Sequence, residues 1–280
     1  MSYLKDSLFN TSLPALVVER KERFNRYPQI GFGDEGAVYK YNDEIAFKTF
    51  EFTKEQEILS RKFAKIEELG RLRDESACFP IGLMGYEDHK KEGYYTSLVH
   101  PDEHYNDFDL LIYMKDMRRK LQYVLEVNEA IKRFHQMGLI IGDIKGDNIM
   151  IDSEGHIKFV DTDNWKYGDF DFDLTPGRST WLSRTYEEEF SELDNEKFVF
   201  GMMAIQIFLS GTVVSMHPND YYFQRMIEYL RVPKDTKEGL RDIFSSSHDK
   251  PYIGDVLKDI STERELITEQ QVLSLNRYYY

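Results

Sequence analysis

Ile141-Gly142-Asp143-Ile144-Lys145-Gly146-Asp147-Asn148-Ile149-Met150 is the stretch on which the reading of this chain turns, and it is followed downstream by Phe159-Val160-Asp161-Thr162-Asp163. Charged and amide side chains flank two short β runs, Ile149-Met150-Ile151 and Ile157-Lys158-Phe159-Val160, which the turn Asp152-Ser153-Glu154-Gly155 joins. A hairpin of this kind predicts that Asn148 and Asp161 come close together. A carboxylate and an amide oxygen converging there suit Mg2+, which takes oxygen ligands and keeps several of its waters. Asp143 would then sit beside a terminal phosphate as base or orienting group, and Lys145 would neutralise charge developing on a transferred phosphoryl. The plain alternative is an Asx-rich turn with solvated charges.

Upstream features weigh against that alternative. Gly31-Phe32-Gly33-Asp34-Glu35-Gly36-Ala37-Val38 carries Gly31, Gly33 and Gly36 at a spacing that lets backbone approach phosphate oxygens. A dinucleotide fold needs strand, glycines and then helix. Here the glycines stand between two alternating β runs, which predicts a flap over a nucleotide. The next run, Glu44 to Phe50, contains Ala46-Phe47-Lys48. An unpaired ammonium on a central strand is costly to bury, so Lys48 reads as a residue that reaches phosphates and is held by a carboxylate of the following helix. Glu55 is the first choice, because Ile58 and Leu59 follow it at three and four positions; Glu57 and Glu67 are the alternatives.

The chain has 280 residues, of which 41% are hydrophobic and 31% charged, an ordinary globular mixture. Lys plus Arg number 36 against 50 Asp plus Glu, a net charge of −14 that repels nucleic acid and anionic membranes over the surface as a whole. The single cysteine, Cys78, excludes an intramolecular disulfide framework and reads as a small buried hydrophobe. Residues 1–10 lack a basic segment leading into a long apolar stretch, and the most apolar window, 198–209, is too short to cross a bilayer. The expectation is a cytoplasmic protein with neither nucleic-acid nor membrane partners.

Periodicity predicts an α+β protein. Residues 1–26 read as an N-terminal extension. Residues 27–100 read as a lobe with a five-stranded antiparallel sheet and one helix, its strands including 79–86 and 93–99 and its helix running from 54 to 69 after a Thr53 cap. Residues 101–280 read as a mainly helical lobe. Its first helix, 120–137, carries the stripe Leu121, Val124, Leu125, Val127, Ile131 and Phe134, and further helices are expected over 194–210, 220–230, 235–246 and 253–274.

These parts, in this order, resemble the protein-kinase-like superfamily over roughly residues 27–250. Gly31 to Val38 resembles the glycine-rich loop and Ala46-Phe47-Lys48 the Ala-x-Lys strand motif. Asp143 to Asn148 fits the catalytic loop, and Asp161-Thr162-Asp163 stands where Asp-Phe-Gly would stand. The resemblance implies a two-lobed kinase fold with an ATP–Mg2+ site between the lobes. Lys48 would pair with the α/β-phosphates, Asn148 and Asp161 would hold magnesium, and Asp143 would accept or orient the substrate hydroxyl. The adenine would lie against strands near Leu98 to His100, with Val38 and Met150 as the apolar surfaces that sandwich it, and Ala46 would be among the nucleotide-binding residues. The long helix ends at His135, which the family pattern makes structural.

Several positions depart from the pattern. The usual His-Arg before the catalytic aspartate is Ile141-Gly142, which removes the usual partner of a phosphorylated activation loop. Gly142-Asp143 is reminiscent of aminoglycoside and choline phosphotransferases, whereas Lys145 follows the Ser/Thr protein-kinase pattern. Asp163 replaces a glycine, a version that resembles certain bacterial protein-kinase-like proteins and points to bacteria or phage; its extra carboxylate could add to metal binding or restrict the loop. Glu196 stands where an aspartate is usual. Thr175, Ser179 and Thr180 fall where an activation loop would lie, and Glu187-Glu188-Glu189 reads as a solvated face. The leading expectation is a minimal Ser/Thr protein kinase acting on a protein substrate, itself included. A small-molecule kinase acting on a hydroxyl compound and a nucleotide-binding pseudokinase are the alternatives.

Overall fold

Alternation along Ile45-Ala46-Phe47-Lys48-Thr49-Phe50 sends Ile45 and Phe47 to one face of a sheet and Lys48 and Phe50 to the other. In the computed structural model both faces are buried, so this strand is central. The structure describes residues 15–18, 26–33, 35–50, 56–85, 91–172, 191–208, 227–228, 232–245 and 248–260. They form two compact units: one from the described residues up to Pro101 together with 152–172, the other from Asp102–Ile151 and the described residues from 191 onward.

The first unit is built on a sheet of β1 (Ala15–Val18), β2 (Gln29–Gly33), β3 (Gly36–Lys40), β4 (Ile45–Phe50), β5 (Pro80–Gly85) and β6 (Lys91–Ser97), with α1 (Gln56–Leu69) between β4 and β5 in sequence. The strand order is β1-β5-β6-β4-β3-β2. The five expected strands pair antiparallel, with Val38 and Tyr94 opposite Lys48. A sixth, β1, comes from the stretch read as an extension and runs parallel to β5, Ala15 opposite Gly82. On one face Ile45, Phe47, Met84 and Tyr95 pack with Tyr27, Tyr39 and Tyr41, Phe47 stacking on Tyr39 with ring centroids 5.1 Å apart. On the other, Phe50, Leu83 and Tyr94 meet Phe63 and Ile66 of α1. Each such fully buried side chain contributes about 1.5–3 kcal/mol.

The strand Ile157–Phe159 belongs to this unit. Cys78 N–H donates to Phe159 O at 2.8 Å, Phe159 N–H to Ser76 O at 2.6 Å, and the Thr162 hydroxyl to Cys78 O at 3.1 Å. Trp165, buried, meets Phe79 and Phe159 edge-on. These bonds tie residues 159–165 to the sheet.

In the second unit α2 (Met117–Gln136) packs on α3 (Glu192–Phe208), and α4 (Lys234–Ile243) on α5 (Ile253–Leu257). α2 starts three residues before the expected position because Asp116 caps it, accepting from the N–H groups of Arg118 and Arg119 at 3.0 Å each. α3 is apolar nearly all round and buried from Phe198 to Ile205, as such a helix must be. The 3-10 helix Phe108–Tyr113 precedes α2. α5 stops at Leu257, where Ile260 N–H bonds Leu257 O in a turn, and of the helix expected over 253–274 residues 261–274 lie outside the described residues; at the start of α5 Gly254 N–H donates to Asn128 Oδ1 on α2. Of the helix expected over 220–230, all but 227–228 lies outside the described residues, as do Thr53, the segment 175–180 and Glu187–Glu189. Among the described residues no helix is long and apolar enough to cross a membrane.

Candidate active site

Lys48 projects from β4 on the face that carries α1 and is 5% exposed. Its ammonium pairs with Asp161 at short range, lies 3.0 Å from Asp163 Oδ1 and 3.4 Å from Glu35 Oε2. Lys62, on α1 and 1% exposed, lies 3.0 Å from both Glu35 oxygens and 2.9 Å from Asp163 Oδ2. The Tyr94 hydroxyl donates to Asp163 Oδ1 at 2.7 Å, and Asn164 Nδ2 donates to Glu35 Oε2 at 3.1 Å. Two ammoniums and three carboxylates thus share one buried cluster, all within the first unit.

The electrostatics follow from that count. Burial alone would lower the Lys48 pKa, but Asp163, Asp161 and Glu35 raise it, so Lys48 stays charged. Burial would raise the Asp163 carboxyl, yet Lys48, Lys62 and the Tyr94 hydroxyl hold it well below the usual range. Glu35 is lowered too: burial and Asp163 oppose ionisation, and Lys62 and Lys48 prevail. Asp161 goes the other way. Burial pushes it up, and with the charges of Asp163 and Glu35 this outweighs Lys48. Burial and the charges of Asp163 and Asp161 raise the Tyr94 phenol well above its usual value, which keeps it a donor. Of the three carboxylates Asp161 therefore takes up a proton most readily, and its side chain is 35% exposed against 0% for Asp163.

Asp161 also has φ 60 and ψ 40, the left-handed region that Asp tolerates better than most side chains. It precedes the 3-10 turn Thr162–Asn164, and this bend allows Asp161 and Asp163 to face the same lysine.

The second unit holds the other group of predicted residues. Ile141 and Ile144 are buried, which leaves Asp143 between two apolar anchors. Asn148 Nδ2 donates to Asp143 O at 3.0 Å and to Asp143 Oδ2 at 3.2 Å, and Lys145 Nζ lies 3.0 Å from Asp143 Oδ2. With its amide nitrogen committed to Asp143, Asn148 has its oxygen left as a ligand. The predicted trio Asp143, Lys145 and Asn148 is therefore brought together. Gly142 has φ 76, and its N–H donates to Glu196 Oε1. Glu196 Oε2 meets His135 Nε2 at 2.7 Å, and His135 Nδ1 meets the Tyr252 hydroxyl at 2.7 Å. The buried Glu196 thus ties the loop to the end of α2 and to the start of α5.

The remaining predicted positions are placed as follows. Gly31 and Gly33 lie in β2, and Gly36 opens β3. Ala46 is buried on β4 and Val38 half-buried beside it. Leu98 N–H donates to Glu44 O at 2.8 Å, and the His100 ring meets Asp43 O. Met150 is in the strand Ile149–Ile151 and bridges to Asp107. Glu55 lies outside the described residues, Glu57 falls within α1, and Glu67 is half-buried there. Among the described residues, the carboxylates against Lys48 are Glu35, Asp161 and Asp163. Glu35, Lys62 and Tyr94 carry no expected role from the sequence. Lys62 was detectable: it falls three residues after Leu59 and four before Ile66, on the apolar stripe of α1, where a lysine needs buried partners.

A family model for the protein kinase domain matches residues 24–167. The chain belongs to the protein kinase family. Among its relatives, protein kinase C zeta type of Oryctolagus cuniculus is 34% identical over 83 residues, covering 28% of this chain and 13% of that protein. Atypical protein kinase C of Drosophila melanogaster is 35% identical over 77 residues, covering 26% and 12%. The serine/threonine-protein kinase Warts of Drosophila melanogaster is 54% identical over 67 residues, covering 24% and 5%. The chain thus matches about an eighth or less of each relative's length. Within this kinase-family chain the departure Ile141-Gly142 has a local physical account: Ile141 fills the core, and the left-handed turn at 142, which favours glycine, presents its N–H to Glu196.

Proposed function

We propose that this chain is an ATP- and Mg2+-dependent protein kinase that transfers the γ-phosphoryl group to Ser or Thr hydroxyls. The observation that carries the reading is the charged, buried Lys48 ammonium held against Asp161. A lysine fixed this way serves a polyanionic ligand better than it serves stability, since a buried ion cluster is weakly stabilising at best. Family membership and relatives that are serine/threonine kinases by name favour a protein acceptor.

In this reading Lys48 binds the α/β-phosphates, and the backbone of Gly31, Gly33 and Gly36 covers them. Val38, Ala46, Leu98, His100 and Met150 receive the adenine. Asp161, the partly exposed carboxylate of the cluster, and the Asn148 amide oxygen would be the oxygen donors for Mg2+, a donor set that fits a hard cation. The bound metal would neutralise the phosphate oxygens. Asp143 orients the acceptor hydroxyl and takes its proton as that oxygen bonds to the γ-phosphorus; the bond from phosphorus to the β–γ bridging oxygen breaks, and ADP leaves with the electron pair. Lys145, already 3.0 Å from Asp143, balances charge on the transferred group.

The test is transfer from γ-labelled ATP with Mg2+ to the protein itself, to a basic generic protein and to a panel of small hydroxyl compounds. Wild type should label protein, and Asp143→Asn and Asp161→Ala should each lose on the order of a hundredfold or more. Label confined to small hydroxyl compounds would move the acceptor to that class. Nucleotide binding without any transfer would overturn the catalytic reading.

A further inference from the structure

Asp163 has both carboxylate oxygens engaged: Oδ1 by Lys48 at 3.0 Å and the Tyr94 hydroxyl at 2.7 Å, Oδ2 by Lys62 at 2.9 Å. With 0% exposure and both oxygens set against ammoniums, Oδ2 by ion pairing alone, it is arranged as a counter-ion and not as a metal ligand. Lys62 in turn grips both oxygens of Glu35, whose Oε2 returns to within 3.4 Å of Lys48. The contacts close into a ring that runs Lys48, Asp163, Lys62, Glu35 and back to Lys48. Its members come from β4, the segment after Asp161, α1 and the glycine-rich loop.

We infer that Asp163 is the positioning carboxylate of Lys48, and that Lys62 and Glu35 hold it in that role. Among the described residues the helix contributes a lysine, Lys62, to this cluster, and one of the carboxylates against Lys48 stands at position 163, where a glycine was expected. The lysine and the carboxylate account for each other. A carboxylate at 163 set against a helix glutamate would place two like charges together, whereas a lysine at 62 turns the same site into an attractive one. Glu35 then balances Lys62 and fastens the glycine-rich loop to α1. Asp161 is left as the outward-facing carboxylate.

This inference rests on the proposed nucleotide site, and the experiment separates the two. ATP-dependent labelling and the binding of a fluorescent ATP analogue are measured side by side, with thermal melting as the check on folding. The variants are Asp163→Gly, Asp163→Asn, and the triple variant Lys62→Glu with Asp163→Gly and Glu35→Gln. The triple variant moves the carboxylate onto the helix and leaves one ammonium against two carboxylates, the same net charge as the native cluster. Asp163→Gly, although it restores the expected motif, should raise KM for ATP and the analogue's Kd at least tenfold. Asp163→Asn should do so less, because it keeps the side-chain volume. The triple variant should recover most of the lost affinity, to within about threefold of wild type. Unchanged KM and Kd in Asp163→Gly would overturn the inference, as would a triple variant that binds no better than Asp163→Gly alone. A wild type that binds no nucleotide would instead sink the functional reading beneath it.

Discussion

Gly93 lies on β6 opposite Thr49, and a Cβ added there would stand 2.0 Å from Lys48 O and 2.9 Å from Met84 Cε. The nearer atom is backbone of the strand that carries Lys48, so β6 and β4 would have to separate at the residue proposed to bind the phosphates. Gly93→Ala should therefore cost about 1–3 kcal/mol, as overpacking does, and should also weaken nucleotide binding by displacing Lys48. Thermal melting and titration of a fluorescent ATP analogue check both effects; a variant with native melting and native affinity would show that the strand gives way freely. At this scale the sequence was informative where chemistry is written in short motifs. Lys48, Asp143, Lys145, Asn148 and Asp161 were singled out from local spacing as candidates, and the structure brings Lys48 to Asp161 and Asp143 to its two neighbours. It was uninformative where partners are brought together by tertiary structure. Nothing local links Glu35, Lys62 and Asp163, which lie on three separate segments and meet only after the sheet and α1 have packed.

Ser191 and Asp194 form the capping arrangement of α3. The Ser191 hydroxyl oxygen accepts the N–H of Asp194 at 3.1 Å and donates its proton to Asp194 Oδ2 at 2.9 Å. The same carboxylate accepts Asp249 N–H on Oδ2 at 3.1 Å and Lys250 N–H on Oδ1 at 2.9 Å, which fixes the chain before α5 against the start of α3. Burial would raise the Asp194 carboxyl, but the Ser191 hydroxyl, the two N–H groups and Lys197 hold it below the usual range. In Asp194→Asn one oxygen becomes an NH2 facing an N–H donor, a loss of about 1–3 kcal/mol. The folded-state pKa is depressed, so the ionised carboxylate stabilises fully above the unfolded value of about 3.9 and ceases to as pH falls through the folded value. Denaturant melts of both proteins should accordingly show a gap at pH 7 that narrows below about pH 4; a gap of constant size would assign the effect to shape and not to charge. Element boundaries follow the same division between local and distant causes. The strands and α1 to α4 lie close to where periodicity puts them, because alternation and stripes are local. β1 was missed because its pairing partner, β5, is remote in sequence, and the end of α5 was missed because the turn at Leu257 breaks a pattern that is otherwise helical.

Over the whole molecule, 50 acidic against 36 basic residues give a net charge of −14 at pH 7. The proposed reaction brings together two charged ligands whose signs oppose each other, a nucleotide polyanion and, in the generic assay, a basic protein. The long-range field attracts the second and repels the first, and salt screens it beyond a Debye length of about 8 Å at physiological ionic strength. Raising salt from about 50 to about 300 mM should therefore raise KM for the basic acceptor several-fold. Over the same range KM for ATP should stay level or fall, because its contact with Lys48 is made where exposure is low and screening weak. The two constants, measured in one titration, should thus diverge. A parallel rise in both would mean that the surface near the nucleotide site is locally basic despite the net charge, and that −14 is the wrong quantity from which to argue encounter.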